Sequence, residues 1–180
     1  MTSDVRDVRV SPAARFEFAP HHCFGCGTLN THGLQMTMHL ESARSWTELE
    51  LARPFEGWEG IAHGGIVCTI LDEVMAWALV AEDNWGVTAR ISVSFKRPVS
   101  VGQAIRADGW VTRSRRRLVE TAGRIVDADT GVELATATGT YVAADAARKA
   151  QLRERYGFRP VGPTAALARD DTPDSVDPKS

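Results

Sequence analysis

The chain has 180 residues, 43% of them hydrophobic, with 21 basic against 23 acidic side chains. A single domain of that length buries roughly two thirds of its unfolded surface, so it needs no disulfide or metal to fold. The slightly negative balance argues against a general nucleic-acid coat or a membrane-surface protein, and three cysteines do not make a secreted disulfide framework.

Residues 1–20 lack periodicity and read as a flexible arm or a short helix. Met1 to Val10 has no apolar core of the signal-peptide kind. The longest apolar stretch, Gly64 to Ala81, is interrupted by Asp72 and Glu73, so no membrane span is expected and the protein reads as cytoplasmic. His21-His22-Cys23-Phe24-Gly25-Cys26 is a CxxC with flanking histidines. Zinc needs about four ligands, and no second CxxC or HxxxH follows, so the motif reads as a tight turn with small buried thiols and no metal. A redox role would require a thioredoxin-like setting that the chain lacks.

Leu34 to Leu40 alternates apolar and polar residues, the pattern of a half-buried strand, and Arg44 to Ala52 reads as its hairpin partner. Gly64 to Glu82 has helical length and period. Arg90 to Arg97 alternates again and ends at Pro98; Gln103 to Arg113, Leu118 to Ala128 and Glu133 to Ala143 follow as strands, the last two joined by the turn Asp129-Thr130-Gly131. Consecutive strands with short turns favour an antiparallel sheet, with the helix covering one face. A short helix is expected over 146–159, and the Pro- and Asp-rich segment 160–180 reads as a disordered tail.

The helix is the most informative element. Ile66, Val67, Ile70, Leu71, Val74 and Ala78 fall on one side, which should pack on the sheet. The other side carries Gly65, Cys68, Thr69, Asp72, Ala76 and Leu79, and the whole stretch to Ala81 has no Lys or Arg. Both sides therefore look buried, the second against a partner subunit, and an acid in such surroundings needs a reason. His63-Gly64-Gly65 opens the helix, where the first amides have no internal acceptors and can hold a carbonyl oxygen that becomes negative during reaction.

The stretch from Phe55-Glu56-Gly57-Trp58 through His63-Gly64-Gly65 to Leu71-Asp72-Glu73, with Phe95-Lys96-Arg97-Pro98 and Gly102, resembles the hotdog-fold acyl-CoA thioesterases, in particular their PaaI-like branch. The likeness covers roughly residues 20–143 and implies an α+β hotdog domain, set here at 21–145: an antiparallel sheet wrapped around one long central helix. It implies hydrolysis of an acyl-CoA thioester in a site shared between subunits of a homodimer or a dimer of dimers. The Gly64 amide would polarise the carbonyl, Asp72 would act as nucleophile or general base, and Thr88 would hold water, with His63 beside them. CoA enters as part of the substrate; no cofactor and no nucleic acid are expected.

Further residues are assigned to substrate binding. Gly65, Gly57, Trp58 and Phe55 surround the thioester and acyl group, and Glu73, about 100° round the helix from Asp72, takes a supporting or structural role. Many relatives carry Asn or Gln where this chain has Gly57, which leaves His63 or a backbone group to substitute and keeps open an alternative: a hotdog module that binds acyl-CoA or an aromatic ligand without cleaving it. Arg113, Arg115 and Arg116, with Lys96 and Arg97, are candidates for a clamp on the CoA phosphates; the plain alternative is a solvated turn. A cysteine arm like Cys23 to Gly27 also precedes the fold in some hotdog proteins, as a structural lead-in.

Overall fold

The structure, a computed structural model, describes residues 6–8 and 15–161, with side chains described over 18–158. Strands β1 (Arg6–Val8), β2 (Arg15–Phe18), β3 (His39–Glu41) and β4 (Arg44–Glu50) precede helix α1 (Gly64–Ala81). After it come β5 (Gly86–Phe95), β6 (Ala104–Arg115), β7 (Leu118–Asp127), β8 (Glu133–Ala143), helix α2 (Ala146–Arg155) and β9 (Arg159–Val161). Six strands form one antiparallel sheet in the order β3-β4-β6-β7-β8-β5, wrapped around α1 as expected.

Alternation dictates this sheet. In β8 the residues Ala135, Ala137, Tyr141 and Ala143 are buried toward α1, while Thr136, Thr138 and Thr140 lie on the outer face. The helix sits close because Gly109 of β6 and Gly123 of β7, directly opposite each other, present no side chain beneath it. A Cβ at Gly109 would run into the Val74 carbonyl, and one at Gly123 would come within 3.1 Å of the Met75 side chain. The β7–β8 turn is set by Gly131 at φ 72° and by the Asp127 carboxylate, which accepts from the Thr130 amide at 2.7 Å.

α1 is long and apolar enough to cross a bilayer by composition, but its core side packs on the sheet. Val67, Ile70, Leu71, Val74 and Ala78 are buried as expected, and Ile66 is half-buried. Leu79, assigned by the helical wheel to the opposite side, is buried too, as are Met75 and Trp77. Burial thus reaches further round the helix than a two-sided wheel anticipates.

Two other expectations are corrected. Of the expected strand Leu34 to Leu40 only His39 and Leu40 pair in the sheet, as part of β3. Gln35 takes φ 48°, which breaks the extended run, and the amides of Leu34 and Met36 donate to Phe24 and Gly25 carbonyls at 2.8 and 2.9 Å. The cysteine loop thus takes the backbone partners that a sheet would have supplied. Within the segment 1–20 the described residues are strands and not a helix: β2 pairs with β1 and with β9, forming a small second sheet. Phe18 packs tilted on Trp77 at 4.6 Å and edge-on to Phe158 at 5.1 Å, joining this sheet to the main body. The tail expected over 160–180 begins inside β9, and residues 162–180 lie outside the described range. α2 falls within the expected 146–159 and is capped by Asp145, whose carboxylate accepts from the Arg148 amide at 2.9 Å.

Candidate active site

Asp72 lies in the middle of α1 on its half-buried flank. Its Oδ1 accepts hydrogen bonds from the Thr88 hydroxyl and the Tyr141 hydroxyl, both at 2.8 Å. Thr88 on β5 and Tyr141 on β8 are directly paired across the strands. A register shift between Thr88 and Arg90 makes this possible: Thr88 opposes Tyr141 and Ile91 opposes Gly139, so both face the helix although they are three positions apart in sequence. Without the extra residue, Ala89, the alternation that turns Ile91 inward would turn Thr88 to the outer face. Tyr141 is fully buried, and its hydroxyl is held well above the ordinary tyrosine range by burial first and the Asp72 charge second. It is therefore a permanent donor to Asp72. Both hydroxyls sit on one carboxylate oxygen; Oδ2 accepts no hydrogen bond among the described residues.

The other pole of the site is the start of α1. His63 is the N-cap, and its Nδ1 accepts from the Gly65 amide at 2.9 Å, while its carbonyl accepts from Ile66 and Val67 at 2.9 and 3.3 Å. Among the described residues no acceptor takes the Gly64 amide, which is left as the open donor at the positive end of the helix. The Phe95 ring lies over it, 3.6 Å from where a Gly64 Cβ would stand. The His63 amide donates to the Phe55 carbonyl at 2.9 Å, and a Cβ at Gly57 would press on the His63 Cα at 3.0 Å. His63, Gly64, Gly65, Gly57 and Phe55 are thus one constellation, in which the backbone at 57 occupies the space a longer side chain would need. Trp58 does not join it within the chain: it is 86% exposed.

The two poles do not meet in one chain. Gly64 and Asp72 are separated by eight residues of continuous helix, about 12 Å of rise. β5, which carries Thr88, is an edge strand with Val87 71% and Phe95 56% exposed.

Glu73 lies on another side of the helix, as its position in sequence implies. It turns away from Asp72, under the loop at 21–27, where Trp77 Nε1 donates to its Oε1 at 2.9 Å and the Cys23 thiol lies 3.6 Å from Oε2. Burial first, then the charge of Cys23, raises its carboxyl to about 7. Cys23 is held down to about 5, chiefly by a hydrogen bond from Cys26, whose own thiol is pushed up by the same bond and by burial. Burial also lowers His21.

Of the arginines, Arg115 ends β6 and Arg116, at φ 52°, makes the turn to β7. Arg113 reaches Glu120 at 3.9 Å. The pairing row Arg115–Leu118–Val142–Val87 puts this hairpin at the Thr88 end of the sheet. Lys96 and Arg97 lie beyond Phe95, at the Gly64 end, so within one chain the two basic groups are at opposite ends of the sheet. Tyr141 was missed by the reading of the sequence. Its signal was there: a tyrosine among small inward residues of β8 needs a partner for its hydroxyl.

The thioesterase superfamily model matches residues 59–134. Among solved structures, a thioesterase superfamily protein shares 26% identity over 67% of this chain and 60% of its own, with a TM-score of 0.64. smu.793 from Streptococcus mutans UA159, solved bound to acetyl CoA, shares 20% over 61% of this chain and 88% of its own, at a TM-score of 0.58. PaaI of E. coli, from the phenylacetic acid degradation operon, shares 16% over 58% and 75%, at 0.55. The last two likenesses are of fold. No curated protein matches the chain significantly. The matched segment holds the Gly64 amide and Asp72, and the helix-in-sheet architecture is common to these structures, so the chain has the hotdog fold and is similar to the thioesterase superfamily over residues 59–134.

Proposed function

We propose that the protein hydrolyses acyl-CoA thioesters in a site built by two copies of the chain. The observation that carries this reading is Asp72: a carboxylate fixed by two hydroxyls on one oxygen, free on the other, on a helix flank without basic residues. The neighbour solved with acetyl CoA supports the substrate class.

The Gly64 amide of one copy binds the thioester oxygen and stabilises it as charge develops. Asp72 of the other copy acts through Oδ2. As a base it takes a proton from water, whose oxygen bonds to the carbonyl carbon; as a nucleophile it makes that bond itself, and water then cleaves the anhydride. In either form the C–S bond breaks and CoA leaves as a thiolate, which needs no strong acid. Thr88 and Tyr141 hold the carboxylate in place, and His63 holds the Gly65 amide and so shapes the loop. The about 12 Å between Gly64 and Asp72 supports two chains running antiparallel along α1, with the apolar edge of β5 as the seam. Lys96 and Arg97 of one copy then approach the arginine hairpin of the other, around the CoA phosphates. Trp58 and Phe55 line the acyl side.

The close approach of Gly57 to His63, in place of an amide side chain, favours the second reading, a module that binds without cleaving. A panel of acyl-CoAs assayed for free thiol separates the two: turnover that collapses in Asp72→Asn supports hydrolysis, while tight binding without turnover supports the module. An active monomer by light scattering would contradict the shared site.

A further inference from the structure

The loop at 21–27 and α1 bring metal-binding side chains together at a place the proposed hydrolysis does not use. The sulfurs of Cys23 and Cys26 and a carboxylate oxygen of Glu73 lie within 4.8 Å of one another. Cys23 Sγ stands 3.6 Å from Glu73 Oε2, and His21 Nε2 stands 3.6 Å from Cys26 Sγ. A sulfur at about 2.3 Å and a nitrogen or oxygen at about 2.0–2.1 Å from a tetrahedral zinc ion are about 3.6 Å apart. Both separations match edges of that tetrahedron; His21 lies outside the group of three whose ligand atoms are all within 4.8 Å of one another and stands beside it on the Cys26 side. We propose that His21, Cys23, Cys26 and Glu73 form a structural zinc site that ties the N-terminal loop to the central helix.

The surroundings are built for it. The turn is closed by the Gly27 amide donating to the Cys23 carbonyl at 2.9 Å, and a Cβ at Gly27 would collide with Cys23 and the His21 carbonyl. Trp77, one turn along α1, holds Glu73 Oε1 at 2.9 Å and leaves Oε2 directed at the sulfurs. Such outer partners orient metal ligands. A Cβ at Gly25 would come within 2.5 Å of Glu73 Oε2, so the loop closes on the carboxylate only because that residue is glycine. Among the described residues Glu73 makes no ion pair, and His21 Nδ1 is buried without a partner. A disulfide between the two free thiols would leave Glu73 and His21 unexplained.

Two thiolates, an imidazole and a carboxylate suit a borderline-soft ion, and with His21 drawn in from beside Cys26 as the fourth ligand no position is left for water, which makes the site structural. On binding, Zn2+ forms bonds to both sulfurs, to His21 Nε2 and to a Glu73 oxygen. The two thiol protons pass to solvent, with any proton on Glu73, and no electron moves.

The test uses the full chain, reduced, stripped with a chelator and titrated anaerobically with Zn2+ and, separately, with Co2+. One ion per chain is expected, with the intense visible bands and sulfur-to-metal charge transfer of tetrahedral thiolate cobalt, both abolished by zinc. Cys26→Ser and Glu73→Gln should weaken zinc binding beyond the ~10–100-fold that loss of an outer partner costs, and Trp77→Phe, which keeps all four ligands, should fall within that range. Sub-stoichiometric binding by the wild-type chain, or the pale spectrum of octahedral cobalt, overturns the proposal whether or not the variants fold. So does unchanged zinc affinity in a folded Cys26→Ser.

Discussion

Asp72 and Glu73 are adjacent carboxylates on one helix, about 100° apart around its axis, and they lead separate chemical lives. Asp72 meets two hydroxyls from β5 and β8 and keeps one oxygen open. Glu73 meets two thiols and an indole under the N-terminal loop. Nothing in the pair Asp-Glu itself assigns these fates. The helix sets their directions, and segments some 50 residues before and 16 and 69 residues after supply their partners.

The largest effect should come from exchanging one charge for an amide at each position. Asp72→Asn is expected to keep the fold and lower turnover by at least ~100-fold, the scale of losing a general base. Glu73→Gln is expected to do the reverse, with turnover reduced less than ~10-fold and thermal stability lost. A site saturated 100-fold over Kd adds about 2.7 kcal/mol, about 5–10 °C in Tm for a chain of this size. Scanning calorimetry with zinc and with chelator should show that shift in the wild type and none in Glu73→Gln. Equal turnover losses in the two variants would erase the distinction between the carboxylates.

Much of this was legible beforehand, for physical reasons. Glu133 to Ala143 was read to the residue because alternation, a Gly-containing turn and small inward side chains all agree. Asp72 stood out because a helix without lysine or arginine has no ordinary place for an acid, and Thr88 came only with the resemblance. The strand expected from Leu34 failed because a left-handed Gln35 and the carbonyls of Phe24 and Gly25 intervene, a competition that periodicity cannot register. The cysteine motif was read as a bare turn because its further ligands were sought as a second sequence motif. Glu73 reaches it through the fold, one residue from the acid that had drawn attention.

An intermediate effect is expected at the hydroxyls. Thr88→Val and Tyr141→Phe should each lower kcat by about 10-fold with KM nearly constant, since a hydrogen bond to a charged group contributes about 1.5–3 kcal/mol and only part of that is lost in the transition state. Because both donate to Oδ1, the double variant should lose less than the product of the two. Deleting Ala89 restores regular alternation and should turn Thr88 to the outer face, reproducing the Thr88→Val loss in a protein that keeps its hydroxyl. Full activity after that deletion would mean that Thr88 does not hold Asp72.

The smallest effect concerns the hairpin on the Asp72 side of the molecule. Arg115, Leu118, Val142 and Val87 lie on one pairing row, so Arg115 is three strand spacings, about 14 Å, from the strand that carries Thr88. If Arg115 and Arg116 hold CoA phosphates, they bind ground state and transition state alike, so Arg115→Ala with Arg116→Ala should raise KM a few-fold and leave kcat nearly unchanged. Exposed phosphate contacts are screened, so the wild-type KM should also rise with salt, and less steeply in the variant. A short pantetheine thioester lacks the nucleotide phosphates and should not respond to the substitution. The Cys23 and Glu73 side gives the contrast: Zn2+ affinity should be the same in the double arginine variant as in the wild type. A KM that rises equally for both substrates, or for neither, would make the hairpin a solvated turn and confine substrate recognition to the two poles of α1.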